Sequence, residues 1–447
     1  MMSKQVVIIG GGAAGMSAAA KARRMDPALE IVVYERSGYV SYGACGFPYA
    51  IKGDIACVED VVVRTPEQFA KQGIRALVRH EVRAIDPAAR TVRVRDLSSG
   101  VEITDSWDEL LLTAGGGAIR PPLPGADMPG VFTLRNVEDA LAIQGWIAQH
   151  QPTRGVIIGG GYIGLEMAEA LAAHGIALTV VERLPHLLPN LDPELAAHAQ
   201  AELVRQQVEV RLSQAVEGLD GDACVRGVVV GGQTIPADIV ILAVGVRPQV
   251  ELARAARVAL GPTGAIAVDD HQRTSVLHIW AAGDVAEAHH RVTGRPAWVP
   301  LGTTANKQGK VAGENIGGGD ARFGGIVGTA VVKVFDLEAA SSGLTEARAR
   351  AEGFMVKTVS ATANSRAHYM PGHQPIHVKL VYEEESRRLL GGQLIGREGV
   401  AKRVDVIAAA LHGGWTVDEL AELDLSYAPP FAPVWDPILV AANLARR

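Results

Sequence analysis

A chain of 447 residues is too long for one compact core, so we expect two to four domains. Its formal net charge of -6 gives no general reason to expect nucleic acid or an acidic membrane surface as a partner. With 48% apolar and 21% charged residues, the composition is typical of a globular protein.

The N-terminus does not predict a signal peptide, because MMSKQVVIIGGG has one lysine and only four apolar residues before the glycines. We expect no membrane span, since no apolar run approaches the length of one. The three cysteines, Cys45, Cys57 and Cys224, indicate a reducing compartment and hence the cytoplasm. They lack the paired spacing of a structural zinc site, and we expect no metal.

An internal repeat is the first strong signal along the chain. VVIIGGGAAGMSAAAKA, from Val6, and GVIIGGGYIGLEMAEAL, from Gly155, align without a gap. Each copy predicts a short buried strand, a glycine turn and an alanine-rich helix. This is the context in which a glycine fingerprint indicates dinucleotide binding.

The three glycines of each turn have distinct physical uses. The first permits the tight turn, the second lets backbone amides approach a pyrophosphate, and the third lets helix and strand pack closely. The helix N-terminus favours phosphate. The glycines are Gly10, Gly12 and Gly15 in the first copy and Gly159, Gly161 and Gly164 in the second.

An acidic residue follows each glycine turn at the sequence spacing expected for a carboxylate that binds the ribose hydroxyls. EIVVYE ends in Glu35, and ALTVVE ends in Glu182. Glycine also serves tight turns that bind nothing, but two copies with two acids predict two dinucleotides. Glu182 repels a 2'-phosphate and so favours NADH, whereas the adjacent Arg183 weakens that preference and keeps NADPH as the alternative.

Three further segments identify the first dinucleotide as a flavin. LLLTAGGGAIRPPLPG, residues 110–125, predicts a buried strand that leads out of the first domain, and ILAVGVRPQVEL, residues 241–252, predicts the return. HIWAAGDVAE, residues 278–287, places Asp284 after a strand and a turn, where it suits a ribityl hydroxyl.

These elements, in this order and over essentially the whole chain, resemble the pyridine nucleotide disulfide oxidoreductases. The resemblance implies an α/β fold with two Rossmann-like domains, an FAD domain interrupted by an NAD domain, and a C-terminal α+β dimerisation domain. The expected ranges are 1–118 and 250–326 for FAD, 119–249 for NAD(P)H, and 327–447 for dimerisation.

The resemblance also implies the cofactor contacts. Tyr162 falls where the family places a tyrosine that screens the flavin, and Glu166 where it places a glutamate near the nicotinamide, although both also suit an ordinary helix start. The residues implied for FAD are Gly10, Gly12, Ala13, Ala14, Gly15, Glu35, Arg36, Ala114, Gly115, Gly283 and Asp284. Those implied for the nicotinamide dinucleotide are Gly159, Gly161, Tyr162, Ile163, Gly164, Glu166, Glu182 and Gly245.

The branch of the family depends on Cys45, in SYGACGFPY. Members similar to glutathione reductase have a second cysteine where this chain has Ala50, and we expect Cys57 and Cys224 to be ordinary buried or half-buried residues. The segment resembles the single-cysteine branch, which contains coenzyme A disulfide reductases, persulfide and polysulfide reductases, NADH oxidases and NADH peroxidases. A single cysteine cycles through a mixed disulfide or a sulfenic acid.

Sulfenic-acid members carry a histidine in the first glycine turn, where this chain has Ala13 and Ala14. The resemblance therefore favours the mixed-disulfide route, with the Cys45 thiolate stabilised by cationic and dipolar surroundings. Tyr369, in HYMPG, and Tyr427, in DLSYAPPF, match tyrosines that reach the partner's cysteine in coenzyme A disulfide reductases. We expect them to be catalytic with Cys45, although tyrosines beside prolines also serve interface packing.

Coenzyme A is a third nucleotide and needs contacts of its own. The resemblance places them at Arg23, Arg24, Ser41, Gln68, Lys71 and Asn306, although an arginine pair on a helix also suits a plain solvated face. The expected enzyme is an FAD-dependent NAD(P)H reductase of coenzyme A disulfide, persulfide or polysulfide. It acts as a homodimer with a shared active site and passes through a Cys45 mixed disulfide with coenzyme A. The alternatives are an NADH oxidase or peroxidase, and a redox-sensing flavoprotein that binds a partner.

Overall fold

The computed structural model describes residues 3–446, so the outermost positions of the first and last predicted domains lie outside the described residues. The first third contains β1 (Gln5–Ile9), α1 (Ala13–Met25), β2 (Glu30–Tyr34), α2 (Phe47–Lys52), α3 (Pro66–Ala70), β3 (Ile74–Leu77), β4 (His80–Asp86), β5 (Thr91–Asp96), β6 (Glu102–Ser106), β7 (Glu109–Leu112) and β8 (Gly116–Ala118). Short 3₁₀ turns cover Ala44–Gly46 and Val58–Val61.

The middle of the chain repeats this alternation of strands and helices. It contains β9 (Val131–Phe132), α4 (Val137–His150), β10 (Arg154–Ile158), α5 (Tyr162–Ala172), β11 (Ala177–Val181), α6 (Pro193–Arg205), β12 (Glu209–Arg211), β13 (Val216–Gly221), β14 (Val225–Val230), β15 (Gln233–Pro236), β16 (Ile239–Leu242) and β17 (Val246–Pro248).

The remainder first completes the first sheet and then forms a new one. It contains α7 (Glu251–Ala255), β18 (Ile279–Ala281), β19 (Ala288–His290), β20 (Arg295–Ala297), α8 (Gly302–Ile316), β21 (Ala330–Val334), β22 (Leu337–Gly343), α9 (Glu346–Ala351), β23 (Val356–Asn364), β24 (Pro375–Glu383), β25 (Leu389–Gly396), α10 (Val400–Gly413), α11 (Val417–Ala421) and α12 (Pro437–Leu444).

The first sheet is parallel throughout, in the order β3-β2-β1-β7-β18. Val6, Val7 and Ile8 of β1 are completely buried, as expected for a parallel strand covered on both faces. Helix α8 lies on α1 so closely that a Cβ on Gly309 or Gly313 would approach a backbone oxygen of α1 to 2.3 Å. The glycines of α8 therefore permit the contact that fixes the helix at the start of the first nucleotide unit.

The second sheet has the same parallel arrangement, in the order β12-β11-β10-β16-β9. It differs in one place, because its outermost strand, β9, precedes the unit in the chain, whereas β18 follows the first unit. The predicted exit and return segments lie side by side, since β8 pairs antiparallel with β17. Sequence similarity between the two glycine motifs thus corresponds to a duplicated fold.

The C-terminal part is an antiparallel sheet, in the order β21-β22-β25-β24-β23, with α10 packed on β22 and β25 and α12 on β23 and β24. This confirms the predicted fold class. The exact domain boundaries stay predictions. Within residues 3–446, no helix has the length and apolar character needed to cross a bilayer.

Candidate active site

The first glycine turn leaves an open face at the start of α1. Gly10 has a φ of +106°, and an added Cβ would lie 2.3 Å from the oxygen of Thr113 at the end of β7. A Cβ on Gly15 would lie 2.0 Å from the oxygen of Gly10. Around Gly12, by contrast, an added Cβ would find no heavy atom within 4 Å. Two glycines therefore permit the turn, and the third leaves space for a phosphate beside the helix N-terminus.

The second turn repeats this geometry closely. Gly159 has a φ of +114°, and an added Cβ would lie 2.3 Å from the oxygen of Ala243. A Cβ on Gly164 would lie 2.1 Å from the oxygen of Gly159, whereas one on Gly161 would meet nothing within 4 Å. Both turns fit a dinucleotide pyrophosphate for the same steric reason.

The two predicted ribose acids are held in the same way. Each carboxylate accepts hydrogen bonds from the backbone amide of a turn glycine and from the amide two residues after the acid. The bonds are Gly11 N and Ser37 N to Glu35, at 2.7 Å each, and Gly160 N and Leu184 N to Glu182, at 2.6 and 2.7 Å. Because a carboxylate accepts more than two hydrogen bonds, each acid retains capacity for ribose hydroxyls.

A cavity of about 550 Å³ connects the predicted residues of the second unit. Its walls include Gly159, Gly161, Glu182 and Gly245, with Arg183 beside the acid. The structure therefore brings four of the eight predicted nicotinamide dinucleotide residues into one concave surface, whereas Tyr162, Ile163, Gly164 and Glu166 do not line it.

Asp284 forms an ion pair that the sequence did not predict. A terminal nitrogen of Arg135 lies 2.5 Å from the Asp284 carboxylate, and Arg135 Nε donates to the oxygen of Gly116 at 2.8 Å. Arg135 stands in TLRN, directly before the Asn136 N-cap of α4, and nothing in its local sequence distinguishes it from any exposed arginine. The pair places a cation beside the predicted flavin site.

The other predicted cofactor residues lie at the ends of the same elements. Ala13 and Ala14 begin α1, exposed Arg36 follows Glu35, Ala114 and Gly115 follow β7, Gly283 precedes Asp284, and Tyr162 and Ile163 begin α5. Their roles in binding stay predictions.

Cys45 lies in the 3₁₀ turn that leads directly into α2, and its side chain is exposed. The surrounding protein raises the pKa of the thiol by partial desolvation, the negative charge of Glu166 raises it further, and Arg135 lowers it. The residues of the chain alone therefore favour the thiol, and the thiolate expected in the surroundings of the flavin site stays a prediction.

The other two cysteines differ from each other. Cys57 is exposed, so the prediction of a buried or half-buried residue was wrong there, whereas Cys224 is half-buried as predicted. Cys57 caps the 3₁₀ turn that follows α2, and its backbone amide donates to the Asp60 carboxylate at 3.3 Å. A polar capping position, rather than apolar packing, explains its exposure.

Glu166 is hydrogen-bonded to Tyr49, a residue that was not predicted from the sequence. The Tyr49 hydroxyl donates to Glu166 Oε1 at 3.2 Å. Burial raises the pKa of the Glu166 carboxyl to about 7, against the lowering effect of this hydrogen bond. Tyr49 follows Cys45 by four residues along one helical stretch. Residues with this spacing lie on one face of a helix, and the spacing could therefore have indicated Tyr49 as a site residue.

Tyr369 and Tyr427 lie together on the surface, although 58 residues separate them. Their hydroxyl oxygens are 3.1 Å apart, and the side chains are 60% and 47% exposed. Within residues 3–446 of one chain, no hydrogen bond joins either phenol to Cys45. Phe431, Val434 and Trp435 are also exposed in the segment that follows Tyr427.

The residues predicted to bind coenzyme A are partly engaged in local structure. The Arg23 guanidinium donates to the oxygens of Pro27 and Gly73, at 2.7 and 2.6 Å, whereas Arg24 is exposed. The loop around residue 73 therefore holds one arginine of the predicted pair.

The remaining four residues of that prediction lie on several elements. Ser41 is half-buried with a φ of +53°, and Lys71 is exposed at the end of α3. Gln68 forms a capping box with Thr65 at the start of α3. Asn306 of α8 accepts from the Ser17 hydroxyl at 2.6 Å. Their role in binding coenzyme A stays a prediction.

Comparison with known families decides the wider class. The model of the family described as pyridine nucleotide-disulphide oxidoreductase matches residues 4–309, and the model of its dimerisation domain matches residues 329–437. The chain belongs to this family. The predicted enzyme class, fold and cofactor classes, FAD and NAD(P)H, are thereby confirmed.

Similar members of the family are named for different activities. An NAD(P)H coenzyme A polysulfide/persulfide reductase of Pyrococcus horikoshii is 41% identical over 446 residues, 100% of this chain and 99% of that one. An NADH oxidase of Methanocaldococcus jannaschii is 36% identical over 98% of each chain. The solved NAD-dependent persulfide reductase from A. fulgidus is 40% identical, with a TM-score of 0.96 over 99% of this chain and 83% of that one.

Proposed function

We propose that this family member is an NAD(P)H-dependent reductase of coenzyme A disulfides or persulfides that works through a mixed disulfide on Cys45. The observation that carries the proposal is the exposed Cys45 thiol at the start of α2, with Ala50 where a dithiol enzyme has its second cysteine. The likeness to a coenzyme A polysulfide/persulfide reductase over the whole chain supports the substrate class.

The first glycine turn fits FAD and the second fits NAD(P)H, because Gly12 and Gly161 each leave open space beside a helix start. When bound, FAD supplies the two-electron transfer from NAD(P)H to a disulfide bond. The acid Glu182 favours NADH, and Arg183 in the same cavity supports acceptance of NADPH as well.

Cys45 captures the substrate sulfur. Its thiolate attacks a disulfide or persulfide, so that a Cys45–S–S–coenzyme A bond forms and a coenzyme A thiolate or hydrosulfide leaves. A neighbouring phenol assists by donating a hydrogen bond to the departing thiolate. Tyr369 and Tyr427 suit this role in a dimer, because their adjacent hydroxyls lie at the surface of the dimerisation domain, available to the Cys45 of the partner.

The cellular site follows from the same chemistry. All three cysteines are free, and a reducing compartment keeps a catalytic thiol available. We therefore place the enzyme in the cytoplasm.

The test compares two exposed cysteines on neighbouring turns. Purified protein is denatured in acid without reductant and the intact chain is weighed, and NAD(P)H oxidation is measured with coenzyme A disulfide and persulfide. We expect a mass increase equal to coenzyme A in the wild type and in Cys57→Ser, and its loss in Cys45→Ser together with nearly all turnover. Undiminished reduction of both substrates by Cys45→Ser refutes the proposal.

Oxygen is the second candidate acceptor, because an NADH oxidase is 36% identical over nearly the whole chain. Ala13 and Ala14, which stand where sulfenic-acid members carry histidine, argue against it. A single added oxygen on Cys45, together with faster NADH oxidation by oxygen than by any coenzyme A substrate, favours the oxidase.

A further inference from the structure

Tyr49, four residues after Cys45, hydrogen-bonds to a carboxyl group that has no cationic partner within ion-pair distance among residues 3–446. Cys45 and Tyr49 lie four residues apart, on the 3₁₀ turn and on α2, and the Tyr49 hydroxyl reaches Glu166 on α5 of the nicotinamide unit. Tyr49 thus connects the redox turn to the helix that begins at the second glycine turn.

Glu169, one helical turn after Glu166, provides the contrast. Its carboxylate forms ion pairs with Lys52, at 3.0 Å, and with Lys333, and it accepts a hydrogen bond from the amide of Phe335 at 3.0 Å. Glu169 is therefore held as a carboxylate. No comparable cation lies within ion-pair distance of Glu166 among residues 3–446. In this described part of the chain, the only side chain that hydrogen-bonds to Glu166 is a phenol, and a phenol compensates the charge of a carboxylate less than an ammonium does.

The position of α2 against the nicotinamide unit is fixed by contacts that do not involve Glu166. His174 Nε2 lies 2.7 Å from the oxygen of Ile51, and Gln144 Nε2 donates to the oxygen of Ala50 at 3.0 Å. These bonds hold the C-terminal end of α2. A change at Tyr49 or Glu166 therefore leaves the helix in place, and the pair is free to serve another purpose.

The proposed reductase needs one proton from solvent in each cycle, since NAD(P)H supplies one proton with its two electrons and two thiols are released. We propose that Glu166 holds that proton, with Tyr49 as the positioning residue that orients the carboxyl through its hydrogen bond. This inference rests on the function proposed above and adds a proton-holding site to it.

The balance is as follows. Two electrons break the Cys45–S–S–R bond, RS⁻ takes the proton that came with the hydride, and Cys45 remains a thiolate. Glu166 then takes a proton from solvent, which removes a negative charge beside the new thiolate. When the thiolate attacks the next substrate disulfide, the second leaving thiolate receives the Glu166 proton. The sum is NAD(P)H + H⁺ + RSSR → NAD(P)⁺ + 2 RSH.

Several charged and titratable groups surround Glu166 and Cys45 and affect how tightly Glu166 holds this proton. Around Glu166 they are Tyr49 on α2 and Glu169 on α5, with Lys52 and Lys333 paired to Glu169. Around Cys45 they are Glu166, Arg135 and Asp284. Burial and Glu169 raise the pKa of Glu166, whereas the Tyr49 hydrogen bond lowers it. Loss of the Tyr49 hydroxyl must therefore move the titration of Glu166 to higher pH.

The experiment measures Cys45 rather than turnover. The FAD-loaded protein is reduced with a thiol, freed of it, and alkylated with iodoacetamide across a range of pH, and labelling of Cys45 is followed in its own peptide, with Cys57 as an internal reference. Glu166→Gln removes a negative charge that raises the pKa of the Cys45 thiol, so this pKa falls and labelling at neutral pH rises about tenfold. In Tyr49→Phe, the step in the profile caused by Glu166 moves to higher pH.

Two controls separate a proton-holding pair from simple packing. Tyr42→Phe removes the hydroxyl of a tyrosine three residues before Cys45, and we expect an unchanged profile, because the hydrogen-bond partners of Glu166 in the described residues include Tyr49 and not Tyr42. Tyr49→Phe in the Glu166→Gln background must add no further shift, because Tyr49 acts through the carboxyl. A wild-type profile in Glu166→Gln, or an equal shift from Tyr49→Phe in both backgrounds, overturns the inference. Neither alkylation profile requires coenzyme A. If the substrate proposal alone fails, coenzyme A substrates are not reduced, but the alkylation profiles stay as described here.

Discussion

The duplicated glycine turns allow each cofactor site to be perturbed separately by a single methyl group. Gly12 and Gly161 both have extended backbone angles that alanine adopts, with φ of -75° and -83°. An added Cβ at either position meets no protein atom within 4 Å, so it enters the space where a pyrophosphate would approach the backbone. We therefore expect Gly12→Ala to weaken FAD binding and Gly161→Ala to weaken NAD(P)H binding, each with little effect on folding.

The expected loss of cofactor affinity follows from the hydrogen bonds between backbone amides and the pyrophosphate that the added methyl group would prevent. A hydrogen bond from a backbone amide to a charged group contributes about 1.5–3 kcal/mol. Loss of one such bond weakens binding by about tenfold to a hundredfold, at 1.4 kcal/mol per factor of ten. Flavin content and the dissociation constant of FAD are measured by flavin fluorescence. The dissociation constant of NAD(P)H is measured by quenching in the FAD-loaded protein.

A third glycine supplies the matched control. Gly145 also has open space around an added Cβ, but it lies in the exposed middle of α4, away from both turns. Gly145→Ala should leave both dissociation constants unchanged and stabilise the helix by about 0.5–1 kcal/mol. Unchanged FAD affinity in Gly12→Ala, or loss of FAD but not of NAD(P)H in Gly161→Ala, refutes the reasoning from the repeat.

Two further predictions concern the assembly of the molecule. Lys379 and Asp192 are each 4% exposed in their side chains and form an ion pair at 3.0 Å. Lys379→Met leaves the buried carboxylate without this partner, so it should lower the free energy of unfolding by about 3–5 kcal/mol in denaturant titrations. Lys402→Met, at an exposed lysine, should change the free energy of unfolding little. An unchanged midpoint in Lys379→Met contradicts this. Phe431, 80% exposed beside Tyr427, should contact the partner, so Phe431→Glu should shift sedimentation from dimer to monomer. Leu277→Glu, at 79% exposure outside the dimerisation domain, should not, and a stable Phe431→Glu dimer contradicts the assignment.

The duplicated units were predictable because their signals are local. A strand, a glycine turn, a helix and a following acid lie within one short segment, and the amides that hold Glu35 and Glu182 come from that same segment. The strand order was not predictable in the same way. The outermost strand of the second sheet, β9, precedes its unit, and only the pairing of β9 with β16 shows where the segment after the first domain returns.

The contacts that surround Cys45 illustrate what local patterns leave out. Tyr49 and Glu166 are separated by 117 residues, and Arg135 and Asp284 by 149, so each pair forms only when two nucleotide units pack together. Tyr49 and Arg135 have no distinctive neighbourhood in the sequence, whereas Glu166 and Asp284 were identified from their motifs but without these partners. Cys57 was misjudged for the related reason that a cysteine at a capping position has the same sequence surroundings as a cysteine that packs in a core.

The raised pKa of the Cys45 thiol has a consequence for how the site must work. Partial desolvation and Glu166 both disfavour the thiolate, and Arg135, a cation that opposes them, is paired with Asp284. A catalytic thiolate therefore needs a change in this environment. Protonation of Glu166 is one such change, and a bound cofactor that competes for Asp284 would free Arg135 to supply another. The thiol should accordingly become more acidic as the site is loaded, so the pH profile of Cys45 alkylation should shift to lower pH on FAD binding, whereas Cys57, outside this cluster, should show no shift. Identical profiles for the apoprotein and the FAD-loaded protein would contradict this coupling.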